Sequence, residues 1–167
     1  MALNFSRRHF LKTVGLASGL VVSGGVLAAC GGGEATPAPA AGDQPKQEVK
    51  LEIGSKGEEL LFDKDTLTAP ANSRITLTFK NNSTALLHNW VLIKPGTNDQ
   101  VANDGLAAGE AKGYLKENDP NVIAHTKMVK AGESDTITFD APPKGSYPYI
   151  CTFPGHHVLM KGTLTIQ

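Results

Sequence analysis

Short segments of alternating apolar and polar residues recur along this chain and restrict it to a β fold. VKLEI (49–53) and RITLTF (74–79) alternate cleanly. Successive side chains of a strand point to opposite faces, so each segment predicts a strand with one buried face. Five further short strands are predicted, at residues 86–94, 122–129, 135–140, 147–151 and 162–166. Turn signals such as PGTND (95–99) and PPKGS (142–146) separate them, which favours an all-β, antiparallel β-sandwich or barrel.

One segment departs from the β pattern. Residues 98–116, NDQVANDGLAAGEAKGYLK, combine Ala, Leu and Glu with several glycines, a composition that suits a short helix and a loop. The strands and this helical insertion all lie within residues 48–167, a length that fits one domain with its own core and no disulfide.

The first thirty residues have the features of an export signal. SRRHFLK (6–12) is a twin-arginine pattern, and an apolar stretch follows over residues 14–29. That stretch is shorter than the roughly 20 apolar residues of a transmembrane helix. LAAC (27–30) resembles the lipobox of bacterial lipoproteins, so we expect residues 1–29 to be a twin-arginine signal peptide and Cys30 to be lipidated. The alternative is an ordinary small-residue cleavage site beside an incidental cysteine.

Residues 30–47, CGGGEATPAPAAGDQPKQ, predict a lipidated N-terminus and a flexible linker, because they have no apolar periodicity. Loss of Arg7, Arg8 and Lys12 with the signal reduces 16 basic residues to 13, against 16 acidic ones. A nucleic-acid surface would need clustered Lys and Arg, and the sequence has no such cluster. No nucleic-acid partner is therefore expected. The expected location is the outer, periplasmic or extracellular face of the cytoplasmic membrane, with the lipid as anchor.

Four side chains of the predicted domain are suitable ligands for a soft metal. Cys151, His156 and Met160 lie in CTFPGHHVLMKG (151–162), where one loop can bring them to a common centre. His88 lies in the apolar segment LLHNWVL, where an imidazole is unfavourable unless it is hydrogen-bonded or binds a metal. Two His, one Cys and a weak axial Met are the ligands of electron-transfer copper sites. The sequence therefore predicts one copper ion at this position.

Neighbouring residues have simpler interpretations. His157 follows His156 and must point elsewhere if His156 is a ligand, so we expect an exposed loop residue. His125 is expected at the surface of a strand. Trp90 lies two residues from His88, on the same strand face, and is expected in the core.

The segments CTFPGHHVLMKGTLTI, HNWVL and VIAHTK resemble the azurin branch of the cupredoxins, the small blue copper proteins, over roughly residues 48–167. The lipobox and the Ala/Pro-rich linker make the auracyanins, azurin-like proteins of filamentous anoxygenic phototrophs, the most similar group. The resemblance implies a Greek-key β-sandwich, one type 1 copper ion per chain and an electron carrier that turns over no substrate of its own.

The same resemblance implies individual residue roles. It assigns one axial metal ligand, Met160, and three equatorial ones, His88, Cys151 and His156. It also implies that the backbone N–H groups of Asn89 and Phe153 bond to the Cys151 sulfur. Azurins have a glycine before the first histidine, where this chain has Leu87, and the azurin disulfide cannot form because residues 48–167 hold a single cysteine.

Apolar residues that flank His156 predict a shell for the site and a docking patch where the electron leaves. This docking patch comprises Phe153, Pro154, Val158 and Leu159. The resemblance implies that a monomer shuttles electrons from a quinol-oxidising membrane complex to the cytochrome of a photosynthetic reaction centre.

Other functions remain open on the residues alone. A Cys151–His156 thiolate pair could belong to a thiol-dependent hydrolase, but that chemistry needs an orienting Asn or Asp and leaves Met160 without a role. Zinc accepts two His and a Cys, yet a thioether is a poor fourth ligand for it. A copper carrier that delivers its metal to another protein would use similar ligands. A nitrite reductase would need a second, His-rich site that this chain lacks.

Overall fold

The computed structural model describes residues 45–167 of the 167-residue chain. The expected signal peptide, the lipobox cysteine Cys30 and residues 30–44 of the expected linker lie outside the described residues. No helix within residues 45–167 has the length and apolar character needed to cross a membrane.

The described residues form eight strands and one α-helix. The strands, in chain order, are β1 (Gln47–Gly54), β2 (Thr66–Ala69), β3 (Ser73–Lys80), β4 (Val91–Ile93), β5 (Val122–His125), β6 (Ser134–Asp140), β7 (Gly145–Ile150) and β8 (Lys161–Ile166). The helix α1 (Asn98–Ala108) and a 3-10 turn (Glu110–Lys112) form the predicted insertion between β4 and β5. A second 3-10 turn, His156–Val158, lies in the loop before β8.

Two sheets pack face to face as a β-sandwich, which confirms the predicted fold class. The smaller sheet has the order β1-β3-β6 and the larger one the order β2-β8-β7-β4-β5. Two of the pairings, β1 with β3 and β2 with β8, are parallel, so the sheets are mixed and the expectation of wholly antiparallel pairing is wrong in these two places. The cause for the first pair is that β2, between β1 and β3 in sequence, crosses to the other sheet.

The core lies between the sheets and follows the alternation read from the sequence. In β3, Ile75, Leu77 and Phe79 are fully buried, while the intervening threonines face outward. Trp90 and Tyr149 enter the core from the larger sheet, with ring centroids 5.6 Å apart. Burial of side chains of this size stabilises the fold by about 1.5–3 kcal/mol each.

The strand predicted at residues 86–94 is shorter than expected, because regular pairing is confined to β4. His88 forms only an isolated bridge, in which it exchanges backbone hydrogen bonds of 3.2 and 2.8 Å with Val129. The bridge places His88 just beyond the end of the regular β4–β5 ladder. Strand β2 was not predicted from the sequence, because its four residues are too few to show alternation.

Candidate metal centre

A buried amide fixes the backbone that leads to His88. The side chain of Asn81 is fully buried, and its Nδ2 donates to the carbonyl oxygens of Leu86 (2.8 Å) and Val129 (2.9 Å). Its Oδ1 accepts from the N–H (3.0 Å) and the hydroxyl (2.8 Å) of Ser83. A buried amide is unfavourable unless its donors and acceptors are hydrogen-bonded. This network therefore holds the segment before His88 in one conformation.

A second amide joins the His88 segment to the Cys151 loop. Asn89 Nδ2 donates to Thr152 Oγ1 at 2.8 Å, and the Thr152 N–H donates to Asn89 Oδ1, also at 2.8 Å. Both residues are buried. From the sequence, only the backbone N–H of Asn89 was expected at the site. Thr152 was not predicted, although it follows Cys151 directly in the motif.

The loop after Cys151 folds back on itself through backbone hydrogen bonds. The Cys151 N–H donates to the Met160 carbonyl (3.0 Å), and the Met160 N–H donates to the His156 carbonyl (2.8 Å). Gly155 supports the reversal with a φ of 81°, a region that glycine enters without strain. The loop thus places Cys151, His156 and Met160 at one end of the sandwich, all of them buried.

Three donor atoms converge at this end of the molecule. Cys151 Sγ lies 3.8 Å from His88 Nδ1 and 3.7 Å from His156 Nδ1. The three potential ligand atoms are within 4.8 Å of one another, and the two imidazole centroids are 5.0 Å apart. His88 Nε2, on the far side of its ring, is buried without a hydrogen-bond partner among the described residues. The short distance from Cys151 Sγ to Nδ1 shows that His88 turns Nδ1, and not Nε2, toward the common centre.

Burial sets the protonation of the three groups. It lowers the pKa of His88 to about 4, with a further contribution from nearby His156 and an opposing one from Glu58. Burial likewise lowers the pKa of His156. Burial raises the pKa of the Cys151 thiol to about 11, although the backbone hydrogen bonds from Asn89 and Phe153 act to lower this pKa. At neutral pH the imidazoles are therefore neutral and able to donate lone pairs, while a metal cation must displace the thiol proton.

The residues around the converging atoms occupy different environments. Val158 and Leu159 of the predicted docking patch are each 58% exposed, whereas Phe153 and Pro154 are half-buried. Leu87, at the position of the azurin glycine, is half-buried.

His157 is half-buried, and its Nε2 faces Asp99 Oδ1 of α1 at 3.7 Å, so the expectation of a freely exposed loop residue is wrong. The reason is that the 3-10 turn packs against the helical insertion. His125 is exposed and Trp90 is fully buried, as predicted.

A buried site with two neutral imidazoles, a thiol and a thioether in the same loop, at one end of a β-sandwich, defines a copper-binding electron-transfer protein. Soft sulfur combined with imidazole suits copper, whereas harder metal ions prefer oxygen ligands, which are missing from this cluster. The donor set thus fits copper.

Comparison with known proteins agrees with this assignment. The sequence profile described as "Copper binding proteins, plastocyanin/azurin family" matches residues 48–167. The chain is 47% identical to auracyanin-A of Chloroflexus aurantiacus over 144 residues, 85% of this chain and 89% of the relative. It is 51% identical over 83 residues to an azurin of Pseudomonas fluorescens, 48% of this chain and 65% of the azurin.

Solved structures give the same result. Auracyanin A of Chloroflexus aurantiacus superposes with a TM-score of 0.69 at 48% identity, covering 72% of this chain and 99% of that one. The dithionite-reduced auracyanin of Roseiflexus castenholzii gives a TM-score of 0.68 at 43% identity, covering 71% and 96%. The chain belongs to the plastocyanin/azurin family of copper-binding proteins. It is a blue copper electron-transfer protein of the auracyanin and azurin type, and its cofactor is copper.

Proposed function

We propose that this protein carries single electrons through one type 1 copper ion, which His88 Nδ1, Cys151 Sγ and His156 Nδ1 would hold, with Met160 as a weak fourth ligand. The convergence of three buried donor atoms within 4.8 Å supports this proposal. Bound copper supplies the redox chemistry, a one-electron change between Cu(II) and Cu(I). No substrate turnover is proposed, since the ligand set is closed.

The polypeptide contributes a ligand geometry that is already in place. Asn81 and the Asn89–Thr152 pair hold the two ligand-bearing segments by hydrogen bonds between buried groups. A rigid site changes little when the charge changes, which favours rapid electron transfer. The N–H groups of Asn89 and Phe153 that bond to Cys151 stabilise negative charge on its sulfur. Met160 lies fully buried in the same loop.

The electron would enter and leave through the edge of His156. This residue begins the 3-10 turn whose last residue, Val158, is exposed, and Leu159 follows it. Exposed apolar side chains that surround a buried redox site favour brief docking of another protein without a large desolvation cost. We assign the docking patch of Phe153, Pro154, Val158 and Leu159 to this role.

We further propose that the protein is exported and tethered at the outer face of the cytoplasmic membrane through Cys30. The twin-arginine motif, the lipobox and the Gly/Ala/Pro-rich segment that follows support this proposal. The similarity to auracyanin A, described as coming from a photosynthetic bacterium, supports a place for this protein in photosynthetic electron transport. We propose that it acts there as a monomer, with a quinol-oxidising complex and a reaction-centre cytochrome as partners.

An absorption spectrum tests the metal site. We expect the purified chain to develop an intense blue charge-transfer band on addition of Cu(II), to lose it on reduction and to regain it on oxidation. Cys151→Ser is expected to remain colourless, since the band requires the thiolate. A wild-type protein that binds Cu(II) without the band would overturn the electron-carrier assignment.

A fractionation experiment tests the tether separately. We expect the protein expressed in a bacterium with lipoprotein processing to sediment with membranes and to carry fatty acyl groups on Cys30 by mass spectrometry. Cys30→Ser is expected to be released in soluble form with the copper site intact. If the wild-type protein is found in the soluble fraction and its Cys30 carries no acyl group, the proposed tether is wrong. The assignment of the copper site does not depend on this result.

A further inference from the structure

The backbone of Tyr114 is held in an unusual conformation by the helical insertion. Its φ is 52°, in the left-handed region that a bulky side chain rarely adopts. The Tyr114 N–H donates to the Gly109 carbonyl at 3.1 Å. The Tyr114 carbonyl oxygen lies over Gly105 of α1, where a Cβ would come within 2.3 Å of it. Only a glycine at residue 105 allows this approach, so α1 dictates where the Tyr114 side chain emerges.

The Tyr114 ring packs against the copper-site loop. Its centroid is 5.3 Å from that of Phe153, and the planes cross at 70° in an edge-to-face arrangement. Phe153 in turn lies 4.6 Å from the His156 ring. Edge-to-face geometry at this separation is favourable for aromatic pairs. The three rings thus form a continuous row from the insertion to a metal ligand.

Phe153 is connected to two ligands through its backbone. Its N–H bonds to the Cys151 sulfur, and its carbonyl accepts the His156 N–H at 2.9 Å. The Phe153 side chain is only half-buried, so the core by itself does not immobilise it. The Tyr114 ring supplies a lateral contact on this side chain.

We propose that Tyr114 is a positioning residue for electron transfer, which acts through Phe153 to fix the geometry of Cys151 and His156. This inference rests on the proposed function and assigns a part of it to the helical insertion. Residues that orient metal ligands without touching the metal tune its redox properties. Tyr114 acts in this way from outside the ligand loop.

The test uses the copper-loaded full-length chain and two variants. Tyr114→Asn removes the ring, while asparagine tolerates the left-handed backbone conformation well, so the fold is retained. Tyr114→Phe keeps the ring and serves as the matched control. We expect Tyr114→Asn to shift the midpoint potential and to broaden the Cu(II) EPR lines, because the ligand geometry becomes less uniform. Tyr114→Phe should match the wild type in both measurements.

A double-variant cycle with Phe153→Leu tests the route of the effect. If Tyr114 acts through Phe153, the potential of the Tyr114→Asn, Phe153→Leu double variant equals that of Phe153→Leu alone. Additive shifts would overturn the route, and a Tyr114→Asn variant with wild-type potential and line width would overturn the positioning role. The wild-type blue spectrum is recorded first, since its absence would count against the copper site itself and not specifically against Tyr114.

Discussion

Asn89 and Thr152 exchange two hydrogen bonds of 2.8 Å across the site, and so join the segment that carries His88 to the loop that carries Cys151. Asn89 follows the proposed ligand His88, and Thr152 follows the proposed ligand Cys151. The pair therefore fixes the distance between the two chain segments and, with it, the distance between the two ligand atoms. Because both residues are buried, neither water nor another side chain replaces the bonds readily.

Replacement of Asn89 by alanine is expected to destabilise the metal-free protein by about 1–3 kcal/mol, because it leaves the Thr152 N–H buried without a partner. Denaturant unfolding measures this change. The control is Asn82→Ala, which removes one bond of 3.0 Å from the exposed Asn82 amide to the Ser55 carbonyl. The free energy of unfolding of this control should fall by about 0.5–1 kcal/mol. Equal losses in the two variants would contradict the special role of the Asn89–Thr152 pair.

Replacement of Met160 by leucine is expected to raise the midpoint potential while the blue band persists. Loss of a weak axial sulfur stabilises Cu(I) relative to Cu(II), and the thiolate that gives the band is unchanged. Leucine preserves the packed volume, so the stability should change by less than about 1.5 kcal/mol. Voltammetry measures the potential, with half-buried Met128→Leu as the control that should not move it. An unchanged potential in Met160→Leu would exclude an axial ligand role.

The fold class was predictable because the alternation of strands such as β3 is a local property, which the burial of Ile75, Leu77 and Phe79 reproduces. The pairing partners of the strands were not predictable in this way, because they depend on which sheet each strand joins. The parallel pair of β1 and β3 requires β2 to cross between the sheets, and four residues carry too little pattern to reveal that crossing.

The proposed ligands could be found from the sequence because Cys151, His156 and Met160 are close along the chain and have distinctive chemistry. The supporting groups could not be found in this way. Asn89 and Thr152 are 63 residues apart, and nothing in a single sequence shows that two common polar residues meet. Tyr114 reaches Phe153 only because the helical insertion folds back over Gly105, a contact without a local signature.

The metal-free protein is expected to lose stability as the pH falls from 6.5 toward 4. Burial lowers the pKa of His88 from its ordinary value of 6.5 to about 4, so over this range protons bind the unfolded chain in preference to the folded one. The stability contributed by neutral His88 is thus present above pH 6.5 and lost as the pH falls through the folded-state pKa. His156 acts in the same direction.

Denaturant unfolding at several pH values measures this dependence, with a maximum slope of about 1.4 kcal/mol per pH unit for each such histidine. The control is the metal-free His88→Gln variant, whose slope should be smaller because one titrating group is gone. Equal slopes in the variant and the wild type would contradict the assignment to His88.

Replacement of Gly105 by alanine is expected to destabilise the protein although alanine favours helices. In an exposed helix this change would stabilise by about 1 kcal/mol. Here the added Cβ would lie 2.3 Å from the Tyr114 carbonyl oxygen, and the backbone cannot withdraw as a flexible side chain could. Overpacking of this kind destabilises by about 1–3 kcal/mol, which outweighs the gain in helix propensity.

The matched control is Asn103→Ala, at an exposed position of the same helix, where alanine should stabilise by a few tenths of a kcal/mol. Thermal unfolding of the two metal-free variants compares them directly. Because Gly105 supports Tyr114, the copper-loaded Gly105→Ala protein should also show the shifted potential expected of Tyr114→Asn. A Gly105→Ala protein that is more stable than the wild type would mean that α1 does not hold the Tyr114 backbone in place.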